Sequence, residues 1–209
     1  MKNIHKNNEP ASLVEHRCSA HAGYDNYGDK QALRECLVTE QGCLCAYCMQ
    51  RIRSEVGKMK IEHWHCQSNY PNEQLDYKNL LGVCMGGEGF SPHEQHCDTC
   101  KGDRDFCMNP TDPAQHIEQQ IKFLGNGVIK SDNDVLDFEL NDVLNLNHPQ
   151  LVRNRKAMLD SFIQVLRPGS LGRGVLQRYI TQWTTPDDGM FQPYCMVVVY
   201  WLRKRLART

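Results

Sequence analysis

Paired cysteines constrain this chain more than any other feature. Eleven cysteines stand among 209 residues, and the informative ones cluster as Cys45-Ala-Tyr-Cys48, Cys84 and His96-Cys97-Asp98-Thr99-Cys100-Lys101. Two thiolates three positions apart can reach one tetrahedral ion from a tight turn, a geometry zinc accepts well. Cys45 and Cys48 supply a first pair; Cys84 with Cys97 is one second pair, and Cys97 with Cys100 is another. Met1–Pro10 is polar and charged and does not read as a signal peptide. The longest apolar run, Cys195–Leu202, is far shorter than the roughly 18 residues a membrane span needs. The expectation is therefore a reduced, cytoplasmic setting without a membrane segment, where clustered cysteines are metal ligands rather than a disulfide framework. The scattered Cys18, Cys36 and Cys195 read as small buried hydrophobes, and Cys43, Cys66 and Cys107 as spare.

A formal charge of −1 excludes a chain coated in basic residues. Any nucleic-acid binding must then be local or shared with a partner. In chain order, Met1–Asp29 is polar and reads as an extended arm. Leu33, Cys36 and Leu37 then fall at helical spacing, with Gly42 as a stop. Met85–Pro92 is turn-rich and reads as a loop. After Pro110 the pattern is mostly helical. Thr111 or Asp112 can cap a helix carrying Ile117, Ile121 and Leu124, ended by Gly125-Asn126-Gly127; the stretch Gly125–Val128 equally suits a hairpin turn. A helix after Pro149 carries Leu151, Met158, Leu159, Phe162 and Leu166 and stops at Pro168-Gly169. Another carries Leu171, Val175, Leu176, Tyr179, Ile180 and Trp183. Val197-Val198-Val199 leaves the last segment open to a core helix, a core strand or an interface element. The expected organisation is an arm and helix over 1–42, a central module over 43–108, and a helical, partner-docking region over 109–209.

Between the cysteine pairs lies Glu62-His63. A carboxylate beside an imidazole can divide labour, the acid holding a divalent cation while the neutral ring takes a proton from water. Asn79, opening a following strand, can orient that ring, and Asp98 can complete the cation's shell with hard oxygen. An isolated Glu-His pair is more often a surface accident, and His65 reads as a surface histidine. Order and placement between the cysteines lift Glu62-His63 above that background.

Taken together these residues resemble the HNH, or ββα-metal, endonuclease motif: Cys-x2-Cys, acid-His, Asn-Leu before a cysteine, then a closing Cys-containing element ending in lysine. The likeness is nearer to one branch, the nuclease subunit of Septu-type and retron-associated anti-phage systems (PtuB-like). It runs from Lys2 to about Arg155 and includes Ile4-x4-Glu9-Pro10, Glu40-Gln41, Leu44–Cys48, Tyr70-Pro71, Asp76–Leu81, Lys101-Gly102-Asp103 and Leu144–Asn147 with Leu151 and Arg155. The resemblance implies an α+β fold, a small zinc-stapled ββα-metal module embedded in a mainly α-helical chain. It implies His63 as general base, Asn79 as its orienting group, and Glu62 and Asp98 as ligands of a catalytic Mg2+ or Mn2+. Cys45, Cys48, Cys84 and Cys97 would bind structural Zn2+. It further implies a partner, an SMC-like or ABC-type (PtuA-like) ATPase subunit, with a retron reverse transcriptase and its msDNA in the retron systems.

The chain departs from the motif in three places. Asp98 stands where the family has its last histidine, which favours Mg2+ or Mn2+ over softer metals. Cys66 replaces a common proline, and the long Cys84–Cys97 gap leaves His96 and Cys100 competing as fourth zinc ligand. Lys101, Arg104, Arg51, Arg53, Lys58 and Lys60 are candidates for backbone phosphates, or else a solvated charged face. A zinc module without chemistry, binding nucleic acid or protein, needs the cysteines but neither Glu62, His63 nor Asp98; an inert adaptor docking through its C-terminal helices is the third reading. DNA and tRNA are not distinguished, because nothing in Glu62–Lys101 reads a 2′-hydroxyl.

Overall fold

In the computed structural model, which describes residues 1–166 and 172–209, the polar arm is not extended throughout. Residues Ala11–Arg17 form α1, because Leu13 is wholly buried against Tyr27, Leu33 and Leu37. One buried leucine docks a helix too short to show periodicity in the sequence. The second helix, α2 (Lys30–Glu40), starts where Asp29 accepts from the Ala32 amide at 3.2 Å and ends at Gln41-Gly42.

Two strands follow, β1 (Lys60–His63) and β2 (Leu80–Val83), antiparallel with Glu62 opposite Leu81 and His63 opposite Leu80. Gln41, buried, knits this sheet to the helix and to the cysteine turn. Its amide oxygen accepts from the Gly82 amide at 2.7 Å, and its nitrogen donates to the carbonyls of Gly82 and Leu44, both at 2.7 Å. Any side chain at Gly82 would crowd that nitrogen, since a Cβ there would lie 3.3 Å from it. The short α3 (Asp98–Lys101) completes this part.

The helix expected through Leu124 gives way to a hairpin. Four residues form α4 (Ile117–Gln120), and β3 (Ile121–Phe123) then pairs with β4 (Ile129–Ser131) around the Asn126-Gly127 turn. Gly127 is required there. Its φ is +89°, and a Cβ would meet the Val152 carbonyl oxygen at 2.2 Å. After α5 (Asp134–Phe138) and a π turn, α6 (Pro149–Val165) fixes the hairpin through buried Arg155, whose Nε donates to the Gly127 carbonyl at 2.6 Å. The expected stop at Pro168-Gly169 and the position of Leu171 lie outside the described residues.

The chain closes with α7 (Arg173–Thr184) and α8 (Cys195–Leu206). The valines of α8 are helical, because packing decides: Val197, Val198 and Val199 are all buried, and Phe162 of α6 meets Tyr179, Trp183 and Trp201 edge-on. One apolar cluster joins Met1, the cysteine turn, Phe106, Leu140, Leu151 and Val197. The architecture is thus α+β, helices with two small sheets among the described residues. No described helix is long and apolar enough to cross a membrane.

Candidate active site and metal centre

Four sulfurs converge: those of Cys45, Cys48, Cys84 and Cys97 all lie within 4.8 Å of one another. Cys45 and Cys97 are 4.0 Å apart and Cys48 and Cys84 are 3.7 Å apart. Tetrahedral zinc with bonds near 2.3 Å would hold its sulfurs about 3.8 Å apart, so the donor set and its spacing fit that ion. Burial opposes ionisation of Cys45, yet the S–H groups of Cys48, Cys84 and Cys97 turned on it hold its thiol well below the usual range. Cys97 is delivered by a left-handed backbone, φ +56°, pinned where its amide donates to the Leu144 carbonyl at 2.8 Å. Of the competing ligands, Cys100 stands apart, its sulfur 3.6 Å from the Arg104 guanidinium. His96 leans on the cluster from outside, its Nδ1 3.2 Å from the Cys97 sulfur and 3.9 Å from that of Cys84. This cysteine set can hold a metal ion such as zinc.

Tyr47 sits between Cys45 and Cys48, fully buried, and its hydroxyl donates to Glu62 Oε1 at 2.9 Å. The turn that aims two sulfurs therefore also aims the acid. Glu62, at the end of β1, is buried and receives the Lys101 ammonium at 2.9 Å. Burial, and then the neighbouring Asp98 carboxyl, push its pKa well above the carboxylate range. For Asp98 burial acts in the same sense, but the hydrogen bond from Glu62 and the Lys60 ammonium 2.6 Å away hold it below its ordinary value. The two carboxyl groups are thus a pair sharing a proton, each with its own lysine.

His63, next on β1, is 7 % exposed, and burial depresses its pKa, so the ring is neutral near pH 7. Its Nε2 lies 2.9 Å from the Gln74 carbonyl oxygen, an acceptor only, which puts the proton on Nε2 and leaves Nδ1 a free base. Tyr24 of the N-terminal arm packs edge-on at 4.5 Å, and its amide donates to the Gln74 side chain at 2.9 Å. The expected bond from Asn79 to this ring is not made. Asn79 instead clamps the loop between the strands, accepting from the His65 amide at 2.7 Å and donating to the carbonyls of His65 and Glu73. It acts on the backbone that presents the Gln74 carbonyl. His65 is held by Glu73 at 2.7 Å and stacks between Trp64 and Tyr70. Glu62, Asp98 and His63 do not close into a three-ligand cluster; among the described residues only the cysteines do. Two hard carboxyl donors suit a cation that takes its other ligands from water and substrate oxygens, as Mg2+ does.

Three of the six cations expected to touch phosphate are engaged by groups of the protein itself, although Arg104 is exposed. Lys101 is 1 % exposed and bound to Glu62. The Arg104 guanidinium donates to the carbonyls of Lys101, Asp142 and Val143, and that of Arg51 to the carbonyls of Gly42, Cys43 and Phe191. Lys60 lies on Asp98; Arg53 and Lys58 are exposed. Tyr47, Gln74 and Tyr24 were not expected at the site from sequence. Only Tyr47 carried a signal, its place between two cysteines.

No family model matches the chain. It is 28 % identical over 153 residues to the "Retron Vc95 putative HNH endonuclease" of Vibrio cholerae serotype O1 biovar El Tor, covering 70 % of this chain and 72 % of that protein. It is 24 % identical over 168 residues to the Septu protein PtuB of Bacillus thuringiensis, covering 76 % of this chain but only 62 % of PtuB. Over an alignment 237 positions long it is 26 % identical to the "Retron Ec83 putative HNH endonuclease" of Escherichia coli, covering 92 % of this chain and 91 % of that protein. At these modest identities the chain is similar to proteins named as putative HNH endonucleases of retron systems and to the Septu protein PtuB.

Proposed function

We propose that the protein is a metal-dependent endonuclease of the HNH type, the effector subunit of an anti-phage defence system. Residues 43–108 form its nuclease module, residues 1–42 an arm that buttresses it, and residues 109–209 the region that docks a partner. The observation that carries this reading is His63: a buried, neutral imidazole, tied at Nε2 to a carbonyl and next in the chain to Glu62 of the carboxyl pair. A structural role would not require a base kept neutral and unpaired at one nitrogen, next in the chain to a buried acid.

In this mechanism His63 Nδ1 takes a proton from a water molecule, whose oxygen forms a bond to the phosphorus of a phosphodiester. The bond from phosphorus to the 3′ oxygen breaks as the new one forms. Glu62 and Asp98 would hold Mg2+ or Mn2+, and that ion would supply charge neutralisation for the phosphoryl and leaving oxygens. Tyr47 fixes the Glu62 carboxyl, and the Gln74 carbonyl fixes the ring. Cys45, Cys48, Cys84 and Cys97 hold structural Zn2+ and keep Asp98 in place through its neighbour Cys97. An SMC-like or ABC-type ATPase subunit is the proposed partner, drawn from the likeness to the Septu and retron proteins.

The test is cleavage of plasmid DNA and tRNA with and without magnesium, by the protein alone and with the ATPase subunit. A His63→Ala protein is expected to lose about 10²–10⁴-fold in rate, the range a positioned general base supplies. Wild-type cleavage by that variant would remove His63 from its role. No cleavage of either substrate by the assembled complex would favour a zinc module without chemistry.

A further inference from the structure

Charge is not spread evenly along this chain. Residues 161–209 hold seven arginines and lysines against two acids, Asp187 and Asp188, a net +5; with a total of −1, residues 1–160 carry −6. The excess gathers where α8 ends. Arg203, Lys204 and Arg205 fill its last turn and Arg208 follows, all exposed. Among the described residues Arg203 alone of these has an acid partner, Glu118 at 3.6 Å. Lys204, Arg205 and Arg208 line a cavity of about 420 Å³ with Leu176, Trp201 and Thr209. The Arg205 guanidinium lies 4.1 Å from the centroid of the half-buried Trp201 ring, which orders one of the cations at the cavity wall. Helix-dipole compensation accounts for cations in a last turn, but for neither Arg208 beyond it nor a tryptophan-walled concavity.

We propose that the end of α8 is a nucleic-acid backbone site, in which Lys204, Arg205 and Arg208 contact phosphates. Guanidinium forks match phosphate oxygens, and the excess of one sign over a concave surface is the footprint of a polyanion. The site lies apart from the chemistry yet is rigidly joined to it. Helix α8 starts at the cysteine turn, where the Tyr194 amide donates to the Met49 carbonyl at 3.1 Å, and its twelve residues rise roughly 18 Å. A strand held there would be anchored about three helical turns of protein beyond the module, leaving the carboxyl pair free for one phosphodiester. The proposal rests on the endonuclease reading for the identity of the polyanion.

The experiment is fluorescence anisotropy of a labelled oligonucleotide, single- and double-stranded, titrated with the full-length protein over a range of salt. The triple variant Lys204→Gln/Arg205→Gln/Arg208→Gln is expected to bind more weakly, with the slope of log K against log salt reduced by about 2–3, near 0.7–0.9 for each phosphate left without its cation. Arg208→Gln alone, beyond the helix and so harmless to folding, is expected to lower the slope by about 0.7–0.9. Unchanged slope and affinity in both variants would overturn the site. So would competition by polyglutamate as strong as by nucleic acid, which would make this an acidic-protein surface. Cleavage separates the two readings. A wild-type protein that binds with this slope but never cuts defeats the endonuclease and spares the site; triple-variant cleavage at wild-type affinity and rate does the reverse.

Discussion

At the cysteine centre four sulfurs already stand at the spacing an ion would give them, whereas the carboxyl face offers two donors, each held by a lysine. The first set would fill an ion's shell by itself. The second, with only two donors, would leave a cation's other positions to water and substrate oxygen. That contrast follows from the chemistry of the donors: thiolates can fill a tetrahedral shell alone, while a hard cation at work on a phosphodiester must take part of its shell from the substrate. Tyr47, Cys97 and Asp98 join the two sites, so the comparison can be broken from either end.

The largest effect is expected at the closed site. Cys48→Ser, or a strong chelator, should abolish both the cooperative melt of the module, followed by circular dichroism, and cleavage; structural zinc in small domains supplies about 10–16 kcal/mol. A protein that keeps its melt and its activity after zinc is removed would make the two sites independent. Next come the acids, which should part company. Asp98→Asn should lower cleavage about a hundredfold or more through loss of the cation, yet shift stability by under about 1 kcal/mol, because Lys60 keeps 27 % of its side chain in water. Glu62→Ala should lose activity and about 3–5 kcal/mol of stability in urea melts as well, since it removes the oxygen that meets a Lys101 ammonium with no solvent.

Third is pH. Burial lowers the His63 pKa from 6.5, so its neutral form stabilises the fold above that value and the contribution is lost as pH falls through the lowered folded-state value. The acid limb of the cleavage–pH profile should accordingly lie below pH 6.5; a limb above it would mean a ring exposed to water. The smallest effect is expected from Tyr47→Phe, which removes one bond to a buried acid and should cost about 1–2 kcal/mol in thermal or urea unfolding, with the sulfurs undisturbed and zinc content unchanged.

The metal centre was legible because it needs only a tight turn and a returning chain, both visible in cysteine spacing. Helices α2, α6 and α7 were legible from apolar periodicity. The groups that hold His63 were not. The Gln74 carbonyl is backbone and leaves no mark in the sequence, and Tyr24 arrives from an arm that reads as polar chain. Lys101 stands in a charged run and looked like surface, whereas the burial of Glu62 draws it inside. In α8, valine's preference for strands was overruled by a site buried against α6 and α7, where shape rather than propensity decides.

Gln41 carries a further consequence. A two-stranded sheet ordinarily leaves a row of free amides and carbonyls along each edge, a template on which another chain can pair. Along β2 that row is occupied: the Gly82 amide and carbonyl meet the Gln41 side chain, the same carbonyl meets the Ala46 amide, and the Leu80 carbonyl takes the Lys6 ammonium. A glutamine side chain here does the work of a third strand. The sheet bearing Glu62 and His63 cannot be extended along β2, by a partner or by another copy, and a chain with leucine at position 41 would be the one to aggregate through it.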